Sequence, residues 1–288
     1  MQPYVLFTDS GCDIAPEKLK EWNVTCVPMT FRFGAEDKEY RNDELPGKDF
    51  YARLRGGEMS KTAAINTETF KEWFEPTLKD GKDILYVAFS SGLSGTYQMA
   101  LLAAEELKET YPDRTVCVVD TLAASAGHGL LVYLAVQKQQ AGADLEENAQ
   151  YLNETRLHVA LWFTVDDLQH LKRGGRISPT VALVGGMLGI KPVLHMDDEG
   201  HLISKSKVRG RHAALKALVD MVKELGIDPK NSPVFISHGD CINDVKLLEQ
   251  MLSDELGVKP TLISDIGPVI GSHSGPGTVA IFFLAKNR

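Results

Sequence analysis

The feature that most constrains this chain is the alternation of short, continuously apolar runs with segments of helical periodicity. Tyr4-Val5-Leu6-Phe7-Thr8-Asp9, Ile84-Leu85-Tyr86-Val87-Ala88-Phe89 and Val116-Cys117-Val118-Val119-Asp120 read as buried strands. Each leads through a turn into a predicted helix: one opened by Pro16, one from Tyr97 to Leu107, and a small-residue-rich one from Ala123 to Gln140. Strands apolar on both faces, alternating with helices of this length, predict a parallel sheet crossed by covering helices. Ligands of such sheets bind beyond the carboxyl ends of the strands. Asp9, Ser91, Ser94 and Asp120 fall at or just past those ends, on one rim.

Other segments are read more locally. Cys26 to Phe33 alternates in part and contains Pro28, so it is predicted as one edge strand. Residues 34–49 are charged and predicted as an exposed loop. Thr67 and Glu68 are predicted to cap a helix bearing Phe70, Trp73 and Phe74 on one face. The pattern changes near residue 155. After the strand His158 to Phe163 come a short helix over Asp167 to Lys172 and a hairpin joining Lys191-Pro192-Val193-Leu194 to Leu202-Ile203-Ser204-Lys205. Helices from Arg211 to Leu225 and Asn243 to Leu252 separate further strands at Val234 to His238, Thr261 to Ile266 and Val279 to Leu284. At roughly 150 residues per domain, 288 residues suggest two. The expectation is a parallel-sheet α/β domain over 1–155 and a smaller mixed-sheet α/β domain over 156–288.

Charge and cysteine content exclude some functions. The net charge of −8 disfavours a broad surface for nucleic acid. No basic segment followed by an apolar one reads as a signal peptide, and the longest apolar run, Val279 to Ala285, suits a strand and not a membrane span. Cys12, Cys26, Cys117 and Cys241 form no C-x-x-C pair and are expected to be free thiols in a reducing cytoplasm. No metal motif is present. Gly185-Gly186-Met187-Leu188-Gly189 lacks the dinucleotide-binding spacing.

Several Gly- and Ser-rich strings carry the chemistry. Ser91-Gly92-Leu93-Ser94-Gly95-Thr96 ends a buried strand and opens a helix, where backbone N–H groups and hydroxyls favour an anion; the plain alternative is a capped helix start. It is neither a P-loop nor a nucleophile elbow. Thr62 reads as a loop hydroxyl unless a partner site uses it. Arg173-Gly174-Gly175-Arg176-Ile177-Ser178 sets two guanidinium groups around a close-approach backbone, suited to an oxyanion, or to a solvated turn. Gly267 to Thr278 packs four glycines and two prolines around His273, predicting a rigid loop with a site histidine. His238, in Ser237-His238-Gly239-Asp240, is a second candidate.

These strings occur in a telling order. Phe7-Thr8-Asp9-Ser10-Gly11-Cys12-Asp13, Lys61-Thr62, Ser90 to Thr96, Asp120-Thr121, Lys172 to Ser178, Lys191-Pro192-Val193-Leu194, Lys207-Val208-Arg209-Gly210 and Gly267 to Gly277 together resemble the DegV family of bacterial fatty-acid-binding proteins, over nearly the whole chain. The resemblance implies a two-domain α/β fold enclosing a long-chain fatty acid in a tunnel. It also implies service as the lipid-carrying subunit of a fatty acid kinase, whose separate kinase subunit forms an acyl phosphate for phospholipid synthesis. By the same resemblance, Thr62, Ser94 and His273 hold the carboxylate, Arg176 and Arg173 face the phosphoryl group, and Arg209 belongs to the kinase-docking surface. No cofactor beyond the bound fatty acid is implied, no metal and no nucleic acid, and a transient membrane or acyltransferase contact fits the role.

The chain departs from the family in two places. Ala63-Ala64-Ile65-Asn66 follows Thr62 where many relatives carry Ser-Gln-Pro, removing a polar group near the head. Gly11-Cys12 replaces the usual small or hydroxyl residues. Two other readings compete: a hydrolase or acyltransferase using His273 with Ser94 or Ser274, and a small-anion or nucleotide binder built on the Gly-rich rims.

Overall fold

A computed structural model describes residues 3–34, 36–178 and 189–288. All but the last residue of the Gly185–Gly189 string lies outside them. β1 (Tyr4–Asp9) ends on a carboxylate that organises the rim: Asp9 Oδ1 accepts from Gly11 N–H at 2.9 Å, and Oδ2 from the Tyr86 hydroxyl at 2.6 Å and Phe89 N–H at 3.0 Å. α1 (Pro16–Glu21) begins with proline, whose missing N–H costs a helix start nothing, and leads to β2 (Val24–Val27). The predicted Cys26–Phe33 strand is divided. Pro28 cannot donate to a ladder, so the chain leaves β2 there and β3 (Thr30–Phe33) joins a different sheet.

The segment predicted as a loop over 34–49 contains β4 (Tyr40–Arg41) and the start of α2 (Gly47–Arg55). β5 (Ser60–Ala63) pairs antiparallel with β3, so Thr62 sits on a strand opposite Phe31 and not in a loop. α3 (Thr67–Lys79) is capped by Asn66, whose side chain accepts from Thr69 N–H at 2.8 Å; Thr67 is already helical. β6 (Asp83–Ala88), α4 (Thr96–Thr110), β7 (Val116–Asp120), α5 (Ala126–Gln140) and α6 (Leu145–Thr155) complete this part.

β1, β2, β6 and β7 form a wholly parallel sheet in the order β2-β1-β6-β7. The chain winds outward from β1 first to β2 and later to β6, so the switch point lies between β1 and β6. Then come β8 (Val159–Thr164), α7 (Gln169–Arg173), β9 (Ile190–Met196), β10 (Leu202–Arg209), α8 (Arg211–Leu225), β11 (Val234–His238), α9 (Ile242–Leu256), β12 (Leu262–Asp265), α10 (Pro268–Ser274) and β13 (Val279–Leu284). Their six strands form a mixed sheet in the order β10-β9-β8-β13-β11-β12, with the expected hairpin as β9 and β10.

α5 explains how the sheets meet. Up to Val136 it is buried on nearly every side, the signature of a helix with no solvent face, and it packs against strands of both sheets. Its small residues permit this: a Cβ on Gly127 would lie 2.6 Å from the Phe282 ring. One hydrophobic cluster therefore runs from Leu6 and Leu85 of the parallel sheet to Phe163, Phe235 and Phe282 of the mixed sheet. A second, with Leu215, Leu218, Leu248 and Leu252, lies under α8 and α9. Among the described residues, no helix is long and apolar enough to cross a membrane.

Candidate functional site

At the carboxyl ends of the parallel strands, facing the mixed sheet, is a cavity of about 150 Å³. Phe89 and Leu93 contribute from beyond β6, Leu161, Phe163 and Phe282 from the mixed sheet, and Val269 and Ile270 from α10. These walls are apolar. The polar lining includes Thr62, Ser94, Arg176 and His273, four residues far apart in sequence that the fold brings to one cavity.

Their geometry assigns the protons. Thr62 Oγ1 lies 2.8 Å from His273 Nε2, while His273 Nδ1 is buried without a partner. A buried N–H without an acceptor is rarer than an unpaired acceptor nitrogen, so the network places the hydrogen on Nε2. Thr62 then accepts from the imidazole and keeps its own O–H free to donate onward. Burial, and secondly the charge of Arg176, lower the pKa of His273 to about 4, so the ring is neutral at pH 7. Ser94 Oγ stands 2.9 Å from Thr96 Oγ1 and accepts from Thr96 N–H at 3.2 Å. Thr96 Oγ1 in turn receives Ile65 N–H at 3.3 Å, tying the Ala63–Asn66 stretch to the start of α4. Arg176 donates from Nε to the Leu93 carbonyl at 3.1 Å and from Nη1 to the Gly174 carbonyl, and burial lowers its pKa.

His273 does not lie in a rigid loop. Pro268–Ser274 is helical because Pro268 occupies the first helical position, and His273 sits in the last turn. Arg173 is outside the cavity and exposed, with Nη2 3.2 Å from His170 Nδ1. It lines an outer groove with Lys61 and His170 that shares Thr62, Arg176 and His273 with the cavity. Lys61 is a cation at the site that sequence reading passed over. Arg209 is exposed on the edge strand β10 and lines neither space. His238 is elsewhere, its Nδ1 accepting from Cys241 N–H at 3.3 Å and its Nε2 3.4 Å from Asp265. The four cysteines are unpaired thiols. Asp197, Glu199 and His201 cluster at the exposed β9–β10 turn, where Asp197 already accepts from two backbone N–H groups.

His273 bonds Thr62 and not Ser94, and among the described residues no carboxylate orients the ring. What the cavity does offer is hydroxyl donors and the Arg176 guanidinium at a polar end, and apolar walls beyond.

Gly174 holds this end together by its lack of a side chain: a Cβ there would lie 2.2 Å from His273 Nδ1. Gly174→Ala is therefore expected to push the ring off Thr62. Its φ of −71° is ordinary, so the substitution adds no backbone strain. A His273 titration midpoint rising toward the free value by NMR would report the displacement, and an unmoved midpoint would refute it.

Fold and site together define a class: α/β proteins with an apolar cavity, polar at one end, beyond the carboxyl ends of a parallel sheet. The chain belongs to the DegV family. The family model described as "Uncharacterised protein, DegV family" matches residues 4–286. The DegV domain-containing protein CPE0026 of Clostridium perfringens is 42% identical over 291 residues, covering 100% of this chain and 99% of the relative. Among solved structures, one described as fatty acid binding of a DegV family protein from Thermus thermophilus is 30% identical with a TM-score of 0.88, covering 99% of this chain and 100% of that one. A stearic acid-binding protein from Eubacterium ventriosum has a TM-score of 0.88 at 25% identity, covering 98% of each chain.

Proposed function

We propose that this protein binds a long-chain fatty acid, with the alkyl chain in the cavity and the carboxylate at Thr62, Ser94 and His273. The observation that carries the reading is an apolar cavity whose polar end offers the Thr62 and Ser94 hydroxyls beside Arg176. A carboxylate can be held by hydroxyl groups without a salt bridge, since hydrogen bonds to an ionised acceptor are strong. Tail burial contributes roughly 0.8 kcal/mol per methylene before ordering costs. The fatty acid binding described for the Thermus thermophilus relative supports the same reading.

The finer reading is that the chain presents this carboxylate to a separate kinase subunit, which makes an acyl phosphate for phospholipid synthesis. Arg176 and Arg173 face the phosphoryl group and Arg209 docks the kinase. In this reading 1–155 and 156–288 act as two domains closing on the lipid, in the cytoplasm, with the fatty acid as the sole ligand and with passing contact to a membrane or acyltransferase. The family resemblance supports it, as does an outer groove bordered by Lys61, Arg173 and Arg176 that meets the cavity at Thr62 and His273.

Native mass spectrometry of protein purified from bacterial cells tests the first reading. A co-purifying fatty acid is expected, and Thr62→Val with His273→Ala should weaken oleate by at least about tenfold while sparing oleyl alcohol. Absence of any bound lipid, together with no binding of added oleate, would sink it. The finer reading requires ATP-dependent acyl-phosphate formation when a fatty acid kinase subunit is added, and loss of it in Arg209→Ala.

A further inference from the structure

α10 is seven residues long, too short to hold itself in water, and Gly267 at its N-cap supplies no side-chain cap. Its leading N–H groups are satisfied from more than two hundred residues away. Gly267 N–H donates to Asp13 Oδ1 at 2.9 Å and Val269 N–H to Asn42 Oδ1 at 2.8 Å. Both acceptors are themselves fixed. Asn42 Nδ2 donates to the Ser10 carbonyl at 3.3 Å and its N–H to the Met29 carbonyl at 3.0 Å. Asp13 Oδ2 is 2.6 Å from Ser125 Oγ, which is 2.9 Å from Ser237 Oγ. At the other end of α10 is His273.

We propose that Asn42 and Asp13 are positioning residues for His273: by capping α10 in trans they set the register in which its last turn delivers the imidazole to Thr62. The proposal rests on the fatty-acid reading for its functional consequence, though not for its geometry. α10 has few other polar anchors. Ser272 Oγ, 2.7 Å from Ser60 Oγ, and the Tyr51 hydroxyl, donating to the Ile266 carbonyl at 2.9 Å, locate the helix body but satisfy neither leading N–H. Without the caps, the first turn would recover its hydrogen bonds only by moving toward water, and a short rigid helix transmits that movement to its far end. Burial raises the Asp13 carboxyl to a pKa of about 8, so at neutral pH it serves as a neutral acceptor. An amide can take its place.

The test compares Asn42→Ala with Asn42→Asp, which keeps the acceptor for Val269 N–H but loses the donor to the Ser10 carbonyl, and with Asp13→Asn. Asn42→Ala is expected to raise the His273 midpoint by about one unit or more in NMR titration. It should weaken oleate about tenfold and oleyl alcohol less than about twofold. Asp13→Asn should retain both properties, and Asn42→Asp should lie between the wild type and Asn42→Ala. A cap that served stability alone would lower Tm and weaken acid and alcohol equally with the His273 midpoint unmoved, and that result would overturn the proposal. If the wild-type protein binds no oleate, the fatty-acid reading falls, while the His273 midpoint still decides whether Asn42 positions the ring.

Discussion

Ala280→Phe is expected to abolish binding of long-chain fatty acids while the protein stays folded. Ala280 lies on β13 with its side chain lining the cavity, beside Phe163 across the ladder and near Phe282 on the same face. Enlarging a residue in a filled core costs about 1–3 kcal/mol through forced rotamers and backbone shifts. Here the added ring has somewhere to go, because it faces a cavity of about 150 Å³. The ring would take space the alkyl chain needs. Excluding about five methylenes removes roughly 4 kcal/mol of transfer free energy, on the order of a thousandfold in affinity. Ala280→Leu should fall between the two. Isothermal titration with oleate and with a short acid such as octanoate measures the effect: oleate binding should disappear, and octanoate should lose far less. If oleate binds Ala280→Phe as it binds the wild type, the alkyl chain lies elsewhere.

How far this architecture is legible in the sequence depends on where the determinants of each element lie. β1, β6, β8, β11 and β13 can be read as runs because both of their faces are buried and no polar residue interrupts them for long. β5 cannot. Ser60-Lys61-Thr62-Ala63 alternates half-buried and exposed residues, and it is a strand only because β3 lies beside it. That is why Thr62 looks like a loop hydroxyl until the sheet is known. α10 is obscured differently, since glycines and prolines around His273 read as loop punctuation, and the side chains that complete its first turn come from Asp13 and Asn42. Ser94 and Arg176 were accessible from their glycine-rich surroundings. The reason Gly174 must be glycine was not, because its neighbour in space, His273, is nearly a hundred residues away.

Stability is expected to fall above neutral pH, and Asp13→Asn is expected to remove that decline. Burial raises the Asp13 carboxyl from 3.8 to about 8, with the nearby Asp265 and Asp9 adding to it against the hydrogen bonds from Ser125 and Gly267. Between those values the folded protein holds a proton that the unfolded chain has released, so stability falls as pH rises, by about 1.4 kcal/mol per unit. The histidines act in the opposite direction. His273 is lowered from 6.5 to about 4, and burial lowers His170 and His195 too. Below pH 6.5 the unfolded chain protonates these rings before the folded one does, so stability is lost as pH falls, which offsets the gain from Asp13 there. Above about pH 7 the rings are largely neutral in both states and Asp13 dominates, which predicts a loss of about 1 kcal/mol on going to about pH 8. An amide at position 13 has no proton to hold, tolerates the left-handed φ of 49° that the position requires, and can still accept from Gly267. Urea denaturation of the wild type and Asp13→Asn at about pH 5, 6.5 and 8 distinguishes the cases. The wild type should weaken between the last two while the variant stays level. Equal declines in both would mean that Asp13 is ionised in the folded protein and that its place beneath α10 is held by charge.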